Sequence, residues 1–179
     1  NVFKRVDDAL GRKLSDIIFN GPDDELMLTR NAQPAIMTVS IACYEALKEK
    51  SGDLFPVPQY VAGHSLGEYT SLYVSGALDL EETAKLVSLR GELMQDACDQ
   101  NPGTMAALIG LDEKAVYEIS RQTGTYVSNI NTDLQTVISG DKAAIISAID
   151  LATSRGAKRA IPLKVAGAFH SDLMRPAAD

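Results

Sequence analysis

A chain of 179 residues, 45% apolar and 23% charged, can bury a sizeable core, and its net charge of −7 argues against a nucleic-acid surface built from clustered Lys and Arg. No apolar run nears the roughly 20 residues that span a bilayer, and the N-terminus shows no signal-peptide pattern, so no membrane association and a cytoplasmic location are expected. The two cysteines, Cys43 and Cys98, lack CxxC spacing and are expected as reduced core thiols; with His64 and His170 the only other soft ligands, no metal site is expected.

The chain opens on Asn1 and is expected to be a piece of a longer product. Pro34 suits the first position of a helix, and Ile36, Val39, Ser40, Cys43, Ala46 and Leu47 follow at helical spacing until Gly52. That predicts one long, mostly buried helix. After the turn Pro56-Val57-Pro58, residues Gln59 to Ala62 read as a short strand, followed by Gly63-His64-Ser65-Leu66-Gly67 and the apolar positions Leu72, Val74 and Ala77. Ser65 therefore falls on a strand-turn-helix junction.

Asp79 with Glu82 forms a capping pattern that opens a helix running to about Ala97. On the helical wheel Leu86, Val87, Leu93, Met94 and Ala97 all fall within about 60° of Arg90, which predicts a guanidinium in the middle of an apolar stripe. From Pro102 the pattern becomes Thr104 to Leu108 extended, Asp112 to Gln122 helical, Tyr126 to Ile130 and Thr136 to Ser139 extended, Asp141 to Ser154 helical, and Lys158 to Pro162 extended. This is the ferredoxin-like βαββαβ order, with a turn at Asn131-Thr132-Asp133 between the middle strands and Asp141 as a helix cap.

A serine hydroxyl is a weak nucleophile at neutral pH; it needs an exposed, strained position, a base, and donors for the oxyanion that forms. GxSxG between a strand and a helix supplies the position, and its glycines keep side chains off the turn. The N–H of Leu66 opens toward a developing oxyanion. Of the two histidines, His64 adjoins Ser65 and is aimed away from it by such a turn, which leaves His170 as the base. No acid is clearly placed to orient His170, and a backbone carbonyl could serve. A guanidinium on an apolar stripe demands an anionic partner: either an internal Asp or Glu, or the free carboxylate of a substrate; the remaining option is an arginine that snorkels to the surface.

The segments Thr29-Arg30-Asn31-Ala32-Gln33-Pro34-Ala35, Gly63-His64-Ser65-Leu66-Gly67-Glu68-Tyr69, Arg90-Gly91-Glu92-Leu93-Met94-Gln95, Gly103-Thr104-Met105-Ala106-Ala107 with Gly110-Leu111, and Gly167-Ala168-Phe169-His170-Ser171 together resemble the malonyl-CoA:acyl-carrier-protein transacylases and the acyltransferase domains of polyketide synthases. The resemblance implies an α/β fold: a hydrolase-like core with a central, mainly parallel sheet at residues 1–101 and 166–179, incomplete at both ends, and an inserted ferredoxin-like subdomain at 102–165. It implies Ser65 as the acylated residue, His170 as its base, Arg90 as the holder of the malonyl carboxylate, and the Leu66 N–H as half of the oxyanion hole. Gln33 and Asn131 match polar positions near the pocket, and Phe169 matches the malonyl-selective form of its motif, a bulky ring that leaves little room for a substituent on C2. Two family features have no counterpart here: the Gly-Gln-Gly loop that gives the second oxyanion donor, and the C-terminal segment whose carbonyl orients the histidine.

The implied reaction is a ping-pong transfer of malonyl from malonyl-CoA to the phosphopantetheine thiol of acyl carrier protein in fatty-acid biosynthesis, with no bound cofactor and malonyl-CoA as substrate. The competing readings are a polyketide synthase acyltransferase, an α/β-hydrolase-type thioesterase, and a non-catalytic docking fragment. The protein partner is acyl carrier protein, with Arg155, Lys158, Arg159 and Lys164 as a local basic cluster that could steer it. A monomer is expected.

Overall fold

The computed structural model describes residues 1–178, which divide into two compact units, Asn1–Glu92 and Leu93–Asp179. The first unit is helical: α1 (Val2–Leu10), α2 (Leu14–Asn20), α3 (Asp23–Met27), α4 (Thr29–Ser51), α5 (Gly67–Val74) and the first part of α6 (Leu80–Gln100). Asn1 caps α1 by accepting the Phe3 N–H at 3.1 Å, and Gly11, at φ 63°, ends it. The core of this unit is Val6, Leu14, Met37, Ile41, Leu80, Ala84 and Val87. Each large aliphatic side chain removed from water there contributes about 1.5–3 kcal/mol.

The long helix begins at Thr29 rather than Pro34, so Pro34 lies inside it. Proline lacks the N–H that would bond the carbonyl of Arg30, and that carbonyl instead accepts Arg12 Nη2 at 3.1 Å. The buried face of α4 also differs from the expected stripe. Asn31, Gln33, Ala35, Met37, Thr38 and Ile41 are buried, whereas Ile36 and Leu47 are each 58% exposed and Val39 and Cys43 are exposed. Thr38 can be buried because its hydroxyl donates to the Pro34 carbonyl at 2.6 Å. Of the two expected core thiols only Cys98 is buried, and burial, with Asp99 nearby, pushes that thiol up to about 11.

The strand expected at Gln59–Ala62 is not formed. Those residues carry no ladder hydrogen bonds, and Tyr60 is almost fully exposed. A strand exists only through a paired neighbour, and the sheet of the described residues is antiparallel and belongs to the second unit. No parallel sheet occurs among the described residues.

The capping of α6 is as the pattern predicts: Glu82 N–H donates to Asp79 Oδ1 at 2.7 Å and Asp79 N–H to Glu82 Oε2 at 3.1 Å. Its buried face matches the predicted one only in part, at Val87 and Ala97. Leu80, Thr83, Ala84, Val87, Ser88 and Gly91 are buried, while Leu86 and Leu93 are exposed. That face is centred about 90° around the wheel from Arg90, so the arginine stands at its edge. The cause is close packing through small residues: a Cβ at Gly91 would lie 2.8 Å from the Thr29 carbonyl oxygen of α4.

The second unit contains β1 (Thr104–Ile109), α7 (Glu113–Thr123), β2 (Tyr126–Thr132), β3 (Gln135–Gly140), α8 (Lys142–Ser154) and β4 (Arg159–Pro162), with spatial strand order β2-β3-β1-β4, all pairs antiparallel. Alternation along β1 and β3 buries both sheet faces. Ala106, Leu108 and Ile138 pack with Val116 and Ile119 of α7 and Ile145, Ala148 and Ala152 of α8. Met105, Ala107 and Val137 form the opposite cluster, against which Leu163 and Phe169 pack. Asp112 and Asp141 cap the two helices through 2.8 Å bonds from the Ala115 and Ala143 N–H groups. Thr132 pairs with Gln135, so the hairpin turn is Asp133-Leu134, shifted from the predicted Asn131-Thr132-Asp133 because β2 runs further than expected.

Candidate active site

In the first unit the turn before α5 places Ser65 in the left-handed region at φ 52°. A side-chain-bearing residue held there costs on the order of 1–2 kcal/mol, a strain that concentrates at functional positions. Hydrogen bonds fix the turn: Gly67 N–H to the His64 carbonyl at 2.8 Å and Glu68 N–H to the Ser65 carbonyl at 3.2 Å. None of its backbone bonds uses the Leu66 N–H, the predicted oxyanion donor. Gly63 is required sterically, since a Cβ there would collide with the Gly67 carbonyl and the Glu68 nitrogen. Gly67, by contrast, has open space where a Cβ would point, so only one of the two glycines keeps a side chain off the turn.

Arg90 reaches this turn from α6. Its Nη2 donates to Ser65 Oγ at 3.0 Å, its Nη1 donates to Gln33 Oε1, and its guanidinium lies 5.9 Å from the centre of the Tyr69 ring. Gln33 in turn donates from Nε2 to Thr29 Oγ1 at 2.7 Å, one helical turn earlier on α4. None of the ion pairs among the described residues involves Arg90. The internal carboxylate that could have balanced it is therefore not met there. An amide oxygen, a hydroxyl and a ring face hold the guanidinium in place and leave its charge whole.

Ser65, Leu66, Arg90 and Gln33 are thus brought together within one unit. Thr29 and Tyr69 belong to the same constellation without having been assigned a role from sequence. The spacing Thr29 to Gln33, i to i+4 on one helix, was the signal available for the first. His64, beside Ser65, is exposed.

His170, Phe169 and Asn131 belong to the second unit. His170 is exposed and also left-handed, at φ 58°. Its turn is held by Ser171 Oγ donating to the Ala168 carbonyl at 2.6 Å and Ser128 Oγ donating to the Phe169 carbonyl at 3.1 Å. Gly167 packs so closely on Cys98 that a Cβ there would collide with the Cys98 sulfur. Phe169 is partly buried against Met105, Ala107 and Val137, and Asn131 is exposed on β2. Of the basic cluster, Arg155 is engaged, by Glu118 at 3.5 Å and Gln122 at 3.0 Å; Lys158, Arg159 and Lys164 are exposed. No group of His, Cys, Asp or Glu among the described residues could hold a metal ion, and no described helix is long and apolar enough to cross a membrane.

A family described as "Acyl transferase domain" matches residues 2–179. The malonyl CoA-acyl carrier protein transacylase of Bacillus subtilis (strain 168) is 44% identical over 99% of this chain and 56% of its own length. Among solved structures, the acyl-carrier-protein-S-malonyltransferase of Bartonella henselae is 49% identical with a TM-score of 0.89, covering 99% of this chain and 58% of that one. A malonyl-transacylase solved in complex with a type II PKS acyl-carrier protein is 40% identical with a TM-score of 0.91, over 99% and 58% of the two chains. The chain spans little more than half the length of these relatives.

Proposed function

This chain belongs to the acyl transferase domain family, and we propose that the full-length protein moves a malonyl group from malonyl-CoA to the phosphopantetheine thiol of an acyl carrier protein through a malonyl ester on Ser65. The observation that carries the reading is Arg90: a guanidinium with no ion pair among the described residues, anchored by Gln33, with one N–H on the Ser65 hydroxyl. A carboxylate that replaces Ser65 Oγ as its partner gains a charge-assisted hydrogen bond from Nη2, and the thioester carbonyl two bonds away is left beside the serine. An uncharged acyl chain gains neither.

In this reading His170 takes the Ser65 hydroxyl proton as Oγ attacks the thioester carbon, and the Leu66 N–H stabilises the oxyanion. The C–S bond breaks, and CoA leaves as the thiol with the proton His170 returns. In the second half the carrier's thiol gives its proton to His170 and attacks the ester carbon; the C–O bond breaks and Ser65 recovers its hydroxyl. The role of His170 rests on the Gly167–Ser171 motif. The left-handed backbone at both Ser65 and His170 supports it, because strained residues gather where chemistry is done.

The same reading includes the hydrolase-like core with its parallel sheet, the subdomain limits at 102 and 165, and a cytoplasmic location. It also includes the fatty-acid rather than the polyketide pathway. The test is transfer by the full-length protein from malonyl-CoA to holo acyl carrier protein. Malonyl-carrier that forms at a rate falling with added salt is the expected result. Free malonate in place of malonyl-carrier would mark a thioesterase and overturn it.

A further inference from the structure

We infer that Thr29 is a positioning residue for Arg90, acting through Gln33, and so helps set the preference for an acyl group that ends in a carboxylate; this rests on the malonyl-transfer reading above. A guanidinium presents only donors, so the oxygen end of the Gln33 amide must face it, yet an amide can flip end for end with little change in shape. The guanidinium selects that orientation, and the far side of the amide is held as well. Gln33 Nε2 donates to Thr29 Oγ1 at 2.7 Å, with Gln33 7% and Thr29 5% exposed. That bond holds the NH2 end on Thr29 and thereby the oxygen on Arg90 Nη1.

A second observation places Thr29 at the same junction. Its backbone carbonyl is the atom that a Cβ at Gly91 would approach to 2.8 Å, so the start of α4 is seated against α6 directly beside Arg90. Thr29 thus seats the helix that carries Gln33 and anchors the NH2 end of its amide. With Nη1 anchored, Nη2 alone faces Ser65 Oγ, where the substrate's carboxylate is to be received. Without the Thr29 hydroxyl the Gln33 NH2 loses this acceptor, the amide is held at its oxygen end only, and its grip on Arg90 loosens.

The experiment compares kcat/KM for malonyl-CoA and acetyl-CoA in the full-length protein carrying Thr29→Val, Thr29→Ser or Arg90→Ala. Thr29→Val is expected to lower the malonyl-to-acetyl ratio about tenfold, the effect of one lost charge-linked hydrogen bond, while acetyl transfer is kept and Thr29→Ser restores the ratio. In the Arg90→Ala background Thr29→Val should change the ratio no further. Should Thr29→Val fail to fold, Thr29→Ala carries the same expectation. An unchanged ratio in the Thr29 variant, or equal loss with both substrates, would overturn the inference while leaving the malonyl reading intact. A ratio unmoved by Arg90→Ala would overturn both.

Discussion

Arg90 Nη2 donates to Ser65 Oγ at 3.0 Å, which ties the candidate nucleophile to the candidate carboxylate anchor. The bond is formed by a helix edge meeting a strained turn, and it occupies the donor that an incoming carboxylate would take. The arginine can exchange partners without moving far, because Gln33 keeps its other arm.

Replacing Arg90 with Ala should therefore cost malonyl transfer far more than acetyl transfer. Loss of the guanidinium, with its charge-assisted hydrogen bond to the carboxylate, predicts a fall of about 100-fold in kcat/KM for malonyl-CoA, against little change for acetyl-CoA. Steady-state kinetics with the two thioesters, in the full-length protein, reads this directly.

Ser65 sits at φ 52°, where a Cβ is strained and glycine is not. Ser65→Gly should be more stable than Ser65→Ala by about 1 kcal/mol, although both lack the nucleophile. Denaturant midpoints of the two variants check it; equal midpoints would mean the turn carries no strain.

The turn that carries His170 depends on a missing side chain at Gly167, where a Cβ would meet the Cys98 sulfur. Gly167→Ala should destabilise the protein by about 1–3 kcal/mol through overpacking and reduce activity with it. Cys98→Ala removes that sulfur but leaves the Cys98 Cβ at 3.2 Å, so the double variant should recover part of the loss. Thermal melts of the four proteins in this cycle measure the recovery.

Much of the second unit was legible in the sequence because its signals are local. Asp112 and Asp141 cap the helices that follow them, and Thr104–Ile109 and Gln135–Gly140 form strands where extended segments were expected. The serine turn was legible for the same reason. The faces of the long helices were not. On α4 a buried threonine is satisfied by the Pro34 carbonyl while Ile36 and Leu47 stay exposed, and on α6 Gly91 and Ala84 are buried beside Val87 while Leu86 and Leu93 are exposed, so apolar periodicity pointed to an exposed stripe on α4 and a partly buried one on α6. Gln59–Ala62 has strand composition, but strand pairing is a property of a partner segment, which composition does not contain. Arg90 was singled out for a charge needing an anion, and its neutral partners Gln33 and Ser65 became visible only with the packing of α4 and α6.

Asp7 illustrates a buried charge with its full set of partners. Burial pushes its carboxyl up, but bonds from the Ser15 hydroxyl at 2.7 Å and N–H at 2.9 Å, with Lys13 nearby, outweigh this and hold it below the usual carboxylate range. A folded-state value below the unfolded one stabilises the protein fully above about pH 4, and that stabilisation is lost as pH falls through the lowered value. Asp7→Asn should therefore melt lower than the unsubstituted protein at pH 7, with the gap closing below about pH 4. A gap independent of pH would show that the ionised form contributes nothing.

The proposed transfer requires a malonyl ester on Ser65. The most direct measurement is the intact mass and peptide map of the full-length protein mixed with malonyl-CoA. One malonyl group should be found on the peptide containing Ser65, discharged on adding holo acyl carrier protein and absent in Ser65→Ala. A protein that transfers malonyl while Ser65 stays unmodified, or that transfers it equally well as Ser65→Ala, would contradict the account.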